Sequence, residues 1–347
     1  FRVKIGNHVC HFLPTYHPDH IIKHAQNKTR PLQSRLGHCF KKDIERAFDV
    51  LPTLTRVVVD SEQDIKANVR CLDGKYDEIQ SLLAKATKAP IKAIDIETDR
   101  LRPYGGGRIL TIAISFGDTN FSFPWNHPKA EWTAVDKEAI YKALERLIGD
   151  DTIKVAHNAP FELEWLAEEF GQTIVNHTAW ECTMMQAHFL DERKGGNRED
   201  DNTGANRYLA LDFLCRVNFG ITYKHLFKLN KKDMASSDLG ETLLYNGVDT
   251  KYTLKLYYKQ KQELKRLGLN KAYMDAVVRQ PTVALMQSIG MDVDQIELKK
   301  QQKILEKDIS NTETEIEALP VVQQYKKDHG QFKPIGGPDA LNLFKDY

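Results

Sequence analysis

Apolar positions recur at helical spacing through residues 76 to 89 (YDEIQSLLAKATKA), and Pro90 behind them stops a helix and starts an extended segment. The period then changes to that of strands. KAIDIET, RILTIAISF and TNFSFPW are short β-rich runs, divided by Gly105, Gly106 and Gly107 and then by Gly117 and Asp118, and they predict three consecutive strands. IKVAHN predicts another short strand, among helical runs that continue to residue 262. Strands first, then mixed helices and strands, is the order of a sheet covered by helices, an α/β fold. Beyond Gly268 the pattern is helical, with Leu298, Leu305, Ile309, Thr312, Ile316 and Leu319 at the seven, four and three spacing of a packed seam that Pro320 ends. Between Asp191 and Arg207 the run DERKGGNREDDNTGANR has no apolar periodicity and predicts a surface loop.

A chain of 347 residues exceeds the size at which one core keeps growing, so two or three domains are expected. It starts at Phe1 and stops at Tyr347 after a Gly- and Pro-rich stretch, which is expected of a segment of a longer polypeptide. Lys and Arg total 49 against 48 Asp and Glu, so no strongly basic footprint is present. Cys10, Cys39, Cys71, Cys182 and Cys215 are scattered without a CxxC pair, which fits reduced thiols and a cytosolic compartment. No apolar run approaches the roughly 18 residues that span a bilayer, and no membrane partner is expected.

Three segments carry candidate chemistry. Asp95 and Glu97 stand two apart on a predicted strand, so both point to one face while Ile94 and Ile96 point to the other, and Thr98 and Asp99 turn the chain after them. Alone the pair is ordinary, because about a quarter of residues are charged. In VAHNAPFELEWL a strand ends at Asn158 and a helix begins near Pro160, which puts Glu162 in the first turn; an acid there equally complements the helix dipole. In YNGVDTKYTLKLY, Tyr245 and Asp249 are four apart and project from one helix face, where a phenol beside a carboxylate can hold a water. An aromatic core residue with an exposed acid gives the same pattern. Taken together these acids form the kind of set that two-metal phosphodiester hydrolysis requires, with the ions about 3.5 to 4 Å apart.

DIET, HNAPFE and YNGVD, in this order and at these separations, resemble the motifs of the DnaQ-like DEDDy 3′-5′ exonucleases, above all the proofreading domain of family A DNA polymerases. The resemblance covers about half of the chain and implies a ribonuclease H-like mixed sheet flanked by helices. It implies two Mg2+ or Mn2+ ions, with Asp95, Glu97 and Asp249 on the nucleophile side, Asp95 bridging to the second ion, and Glu162 completing the set. Tyr245, helped by Glu97, would orient the attacking water. Thr98, Leu101, Asn158, Phe161 and Tyr223 fall at substrate-binding positions: Leu101 as an apolar wedge near the terminal base, Asn158 and Phe161 gripping the terminal nucleotide, Tyr223 stacking on a base. The implied substrate is the single-stranded 3′ end of DNA, in a bacterial cell or a virus-infected host cell. The family usually carries Asp where this chain has Glu162, which moves the carboxylate by up to ~1.5 Å. Catalysis is sensitive to misplacement on the order of 1 Å. Two rivals follow: a catalytically silent module that holds a 3′ end, and an RNA-trimming exonuclease of the same fold.

Residues 281 to 344 resemble the start of the polymerase region of family A enzymes, with PTVALMQSIGMDVD, a long helical pair and FKPIGGPDAL. That predicts a helical hairpin at the base of a thumb, attached to the remainder of a polymerase polypeptide. No segment supplies palm carboxylates, so no DNA synthesis is expected. HFLPTYHPDHIIK and FKKDIERAF resemble the last motif and final helix of uracil-DNA glycosylase-like domains, without the Gly- and Pro-rich loop expected upstream. His17, His20 and His24 lack a Cys or carboxylate to complete a metal set and are expected at the surface. The expected organisation is residues 1–75 as a glycosylase-like remnant and linker, 76–268 as the exonuclease domain and 269–347 as the start of the thumb.

Overall fold

The computed structural model describes residues 2–5, 8–11, 15, 18–24, 35–50, 60–172, 178–191 and 208–332. Residues 192–207 of the expected loop, most of FKPIGGPDAL, and His17 lie outside the described residues. Strands β1 (Arg2–Ile5) and β2 (His8–His11) pair with each other, followed by helices α1 (Pro18–His24), α2 (Arg35–Val50) and α3 (Glu62–Lys66). Then come β3 (Val69–Cys71), α4 (Tyr76–Lys88), β4 (Ile91–Thr98), β5 (Ile109–Phe116), β6 (Thr119–Pro124), α5 (Ala134–Ile148), β7 (Ile153–Ala156), α6 (Ala159–Phe170), β8 (Trp180–Cys182) and α7 (Thr183–Leu190). After α8 (Leu211–Phe219), the long α9 (Leu239–Arg266) precedes α10 (Asn270–Val277), α11 (Gln280–Ile289), α12 (Gln295–Ala318) and α13 (Pro320–His329).

The main sheet has six strands in the order β3-β6-β5-β4-β7-β8. β5 runs antiparallel to both β4 and β6, whereas β3, β7 and β8 pair in parallel with their neighbours, so the sheet is mixed, as the ribonuclease H-like class requires. Alternation decides its two faces. Ile94, Ile96, Ile112 and Ile114 join one core cluster with Ile79 and Leu82 of α4, Ile140 and Leu144 of α5, and Leu163 and Leu166 of α6. Helix α4 forms there because its apolar positions fall on one stripe, with Asp77 and Glu78 in the first turn and Lys85 and Lys88 in the last.

The opposite face packs against α9, which at 28 residues is about 42 Å long. Asp238 caps it by accepting the Glu241 N–H at 3.0 Å. Close approach needs Gly247: a Cβ there would stand 2.4 Å from Val69 Cγ1. Two hydrogen bonds fix the position of α9, Ser122 Oγ donating to Leu243 O at 2.6 Å and Asn246 Nδ2 donating to Thr111 Oγ1 at 3.1 Å. The outer side of α9 is covered by α8 and the segment after it, through Leu214, Val217, Ile221 and Phe227.

Two compact units result, Phe1–Ile289 and Gly290–Tyr347. The expected division after Gly268 falls inside the first, because α10 and α11 pack onto the sheet domain; the Cys182 N–H, for instance, donates to the Tyr273 hydroxyl at 3.0 Å. Residues before 76 join it too, since β3 extends the sheet and Arg216 of α8 donates to both oxygens of Asp43 in α2, at 2.8 and 2.7 Å. The second unit is a helical hairpin in which α12 turns at Leu319 and Pro320 into α13, around Ile316, Val322, Tyr325 and Phe332. The packed seam expected on α12 is met only near its end, at Ile316: Leu298, Leu305 and Ile309 are 50%, 59% and 52% exposed, because helical spacing aligns side chains without supplying a partner. Among the described residues Cys71, Cys182 and Cys215 are free thiols, and no helix is long and apolar enough to cross a membrane.

Candidate active site

Asp95 and Glu97 lie opposite Ala113 and Thr111 of β5, on the face that meets α9. A register shift between Glu97 and Thr98 then bends the strand end, and Thr98 Oγ1 donates to Arg100 O at 2.7 Å, which folds the chain into the 99–108 loop. Asp99 closes that loop by accepting the Arg108 N–H at 2.9 Å and its Nε–H at 3.1 Å. From below, the buried carboxylate of Glu164 in α6 accepts from Arg102 and the Tyr104 hydroxyl. Leu101 stands out of the loop at 83% exposure.

Helix α9 brings Tyr245 and Asp249 to the same place. Single carboxylate oxygens of Asp95, Glu97 and Asp249 all lie within 4.8 Å of one another. The Tyr223 hydroxyl donates to Asp249 Oδ1 at 2.6 Å, and Lys224 Nζ lies 3.7 Å from Asp249 Oδ2 and 5.6 Å from the centre of the Tyr245 ring. The Tyr223 ring is fully buried and stacked on Tyr252, centroids 5.4 Å apart. It therefore has no face to offer a base, contrary to the expected stacking role; packing has turned it into a support for Asp249.

Crowding of acids sets the electrostatics. Burial and then the charge of Asp249 push the Asp95 and Glu97 carboxyls well above the usual range, Glu97 to about 8. Lys224, which burial alone would lower, is held above the ordinary lysine value by Asp249, Asp212, Asp95 and Glu97. Burial, then Asp249, Glu97 and Asp95, also raise Tyr245, so its hydroxyl stays protonated at neutral pH.

Glu162 lies outside the group of three. It is 2% exposed on the first turn of α6, its Oε2 has no hydrogen-bond partner, and burial raises its carboxyl, with the charge of Glu97 adding. Asn158 precedes α6 in the left-handed region at φ 75°, a conformation asparagine tolerates, and is exposed with no capping bond from its side chain. Phe161 is half-buried, its ring 6.2 Å from that of Trp165. The structure thus gathers Asp95, Glu97, Tyr245 and Asp249, keeps Glu162 near enough for its charge to act on Asp95, and leaves Leu101 and Asn158 at the surface.

An all-oxygen donor set of this charge fits hard divalent cations, and the orphaned buried Oε2 of Glu162 is a further donor that no group of the chain satisfies. Sequence reasoning missed Lys224, because no local pattern links it to Asp249. It also missed Asn246 and Gly247, whose role shows only once α9 lies on the sheet.

A family model described as 3′-5′ exonuclease matches residues 74–265. No curated protein matches the chain. Solved structures similar to it include Brucella melitensis NrnC with bound Mg2+, at 20% identity and a TM-score of 0.45, covering 65% of this chain and 96% of that one. Escherichia coli RNase D, an exoribonuclease involved in structured RNA processing, is similar at 17% identity and a TM-score of 0.46, covering 62% and 50%. The catalytic core of RRP6 from Trypanosoma brucei is similar at 17% identity and a TM-score of 0.43, covering 65% and 55%.

Proposed function

We propose, from the premise that this chain belongs to the 3′-5′ exonuclease family and is a hydrolase of phosphodiester bonds, that it removes nucleotides from the single-stranded 3′ end of DNA at the cluster of Asp95, Glu97, Glu162, Tyr245 and Asp249. One observation carries the assignment: acids from a strand and from a distant helix meet within 4.8 Å, with Lys224 beside them. Asp95, Glu97, Asp249 and Glu162 would hold two divalent ions, Mg2+ or Mn2+ by the hardness of their oxygens. When bound, such ions neutralise the phosphate and make a water more acidic.

The chain's own groups do the rest. Tyr245, protonated at neutral pH, donates to or accepts from a water beside Glu97 and aims it at phosphorus. Tyr223 holds Asp249 by its 2.6 Å hydrogen bond. Asn158 and Phe161 grip the terminal nucleotide, Leu101 on its pinned loop wedges against the terminal base, and Thr98 shapes the turn between them.

DNA as the substrate, and the place of residues 76–268 as the proofreading portion of a family A DNA polymerase, rest on the motif resemblance and on the helical hairpin that follows. Residues 1–75 and 269–347 would then be parts of the same parent polypeptide. The test is degradation of a 3′-tailed oligonucleotide in Mg2+ or Mn2+, with DNA and RNA strands side by side. Metal-dependent shortening from the 3′ end of DNA is expected, and Asp95→Ala removes it. Faster digestion of RNA would replace the DNA assignment with RNA trimming, and binding without cleavage in either metal would reduce the site to a holding module.

A further inference from the structure

Nine residues from Lys224 to Lys232 (KHLFKLNKK) hold four lysines and no acid, in a chain whose 49 basic and 48 acidic residues otherwise balance. The fold gives this run a fixed place. Lys224 reaches Asp249, and Phe227 is buried edge-to-face on Tyr245 with centroids 5.3 Å apart, which seats the run on α9 beside the acid cluster. Lys231 and Lys232 are then the two central residues of a β-turn, closed by the Asp233 N–H donating to Asn230 O at 3.0 Å.

Asn230 ties the turn in three directions. Its Oδ1 accepts the Lys232 N–H at 3.3 Å, its Nδ2 donates to Ser236 Oγ at 3.2 Å, and its own N–H donates to Ser237 Oγ at 3.0 Å. The short helical turn Met234–Ser236 that follows packs on β4, the strand of Asp95 and Glu97. Both lysines are exposed, and among the described residues neither forms an ion pair. Asp233, the one acid of the turn, serves it through its backbone.

A strand that carries one negative charge per nucleotide is repelled by the neighbouring carboxylates, and fixed cations at the mouth offset that repulsion. We propose that the Asn230–Asp233 turn is a phosphate-binding rim, on which Lys231 and Lys232 each pair with a backbone phosphate of a nucleic-acid strand whose 3′ end enters the acid cluster. The inference rests on the exonuclease reading for the direction of the strand. Lysines at such a rim read phosphate rather than base or sugar, so the rim adds affinity without sequence preference.

Anisotropy of a labelled single-stranded oligothymidylate, measured in EDTA across a salt series, tests the rim apart from hydrolysis. Lys231→Gln with Lys232→Gln should flatten the slope of log affinity against log salt by about 1.4, at about 0.7 per phosphate contact on a single strand. Its affinity deficit should therefore be about sevenfold larger at 50 mM than at 200 mM salt, by that same slope. Lys231→Arg with Lys232→Arg, which keeps the charges, should keep the wild-type slope. A Gln pair with the wild-type slope, or a wild-type protein with no salt-dependent binding, overturns the proposal. Failure of the wild type to shorten any oligonucleotide in Mg2+ or Mn2+ sinks the exonuclease reading alone, and the slope in EDTA still decides the rim.

Discussion

Lys92 and Asp95 stand three residues apart on β4 and belong to two clusters of charge that the fold treats in opposite ways. Lys92 and Lys154, both fully buried, share Asp150, with Nζ to carboxylate distances of 2.6 and 2.7 Å. Burial lowers both lysines, and although burial alone would raise Asp150, hydrogen bonds from Lys154 and Lys92 hold its carboxyl below the usual value. Every charge in that cluster has a partner, and the cluster ties β4 to β7. In the other cluster Asp95, Glu97 and Asp249 have Lys224 and the Tyr223 phenol among them, and Glu162 keeps an unpaired oxygen. A cluster that is complete holds the fold together, whereas one left with excess charge is completed by something from outside.

The largest expected effect separates the two clusters. Asp95→Ala should cut turnover in Mg2+ by at least about 10³-fold, since a metal-stabilised transition state loses several kcal/mol. The unfolding midpoint of the same variant in EDTA should not fall, because one of several mutually repelling acids is gone. Asp150→Ala should behave the other way, losing about 3–5 kcal/mol in a urea titration because two buried lysines lose their partner. Its folded fraction should keep the wild-type kcat, and a loss of kcat without a loss of stability would erase the distinction.

Tyr245→Phe sharpens the comparison inside the acid cluster. It should lower kcat by about 10²-fold, the usual scale for a group that positions or shuttles a proton, with KM little changed. A rise in KM alone would make Tyr245 a wall of the pocket instead.

The last expected effect is in pH. Glu97 titrates near 8 without a cation and near 4.3 in an unfolded chain. A raised folded value means that its contribution to stability is present below the unfolded value and is lost as pH rises through 8. The metal-free protein should therefore weaken from about pH 4.5 to 8 in EDTA. Cation binding needs the ionised forms of Glu97 and Asp95, so affinity for Mn2+ should rise by about tenfold or more per pH unit below 8, with proton release measurable by titration calorimetry in two buffers. Affinity that is flat with pH would show Glu97 already ionised.

Legibility followed segment length. The runs of four to eight residues that became β4, β5, β6 and β7 stand out in the sequence, as do α4, α6 and α9. Strands β3 and β8 have three residues each, too few for alternation to show, and exist because remote strands offer them hydrogen bonds. Of the candidate site, the acids and Tyr245 were legible as motifs. Lys224 was not, and Tyr223 was misjudged, since an aromatic side chain in a sequence carries no sign of whether its ring faces solvent or Tyr252.

Covalent geometry is local, and so is what it dictates: Asp95 and Glu97 share a strand face, Tyr245 and Asp249 share a helix face, and Glu162 sits in a first turn, whatever the rest of the molecule does. Which faces meet is a matter of packing between remote segments. The acids converge because Gly247 lets α9 come down onto β3 and β6 and because Asn246 and Ser122 lock it there, whereas the equally periodic Leu298, Leu305 and Ile309 of α12 stay exposed.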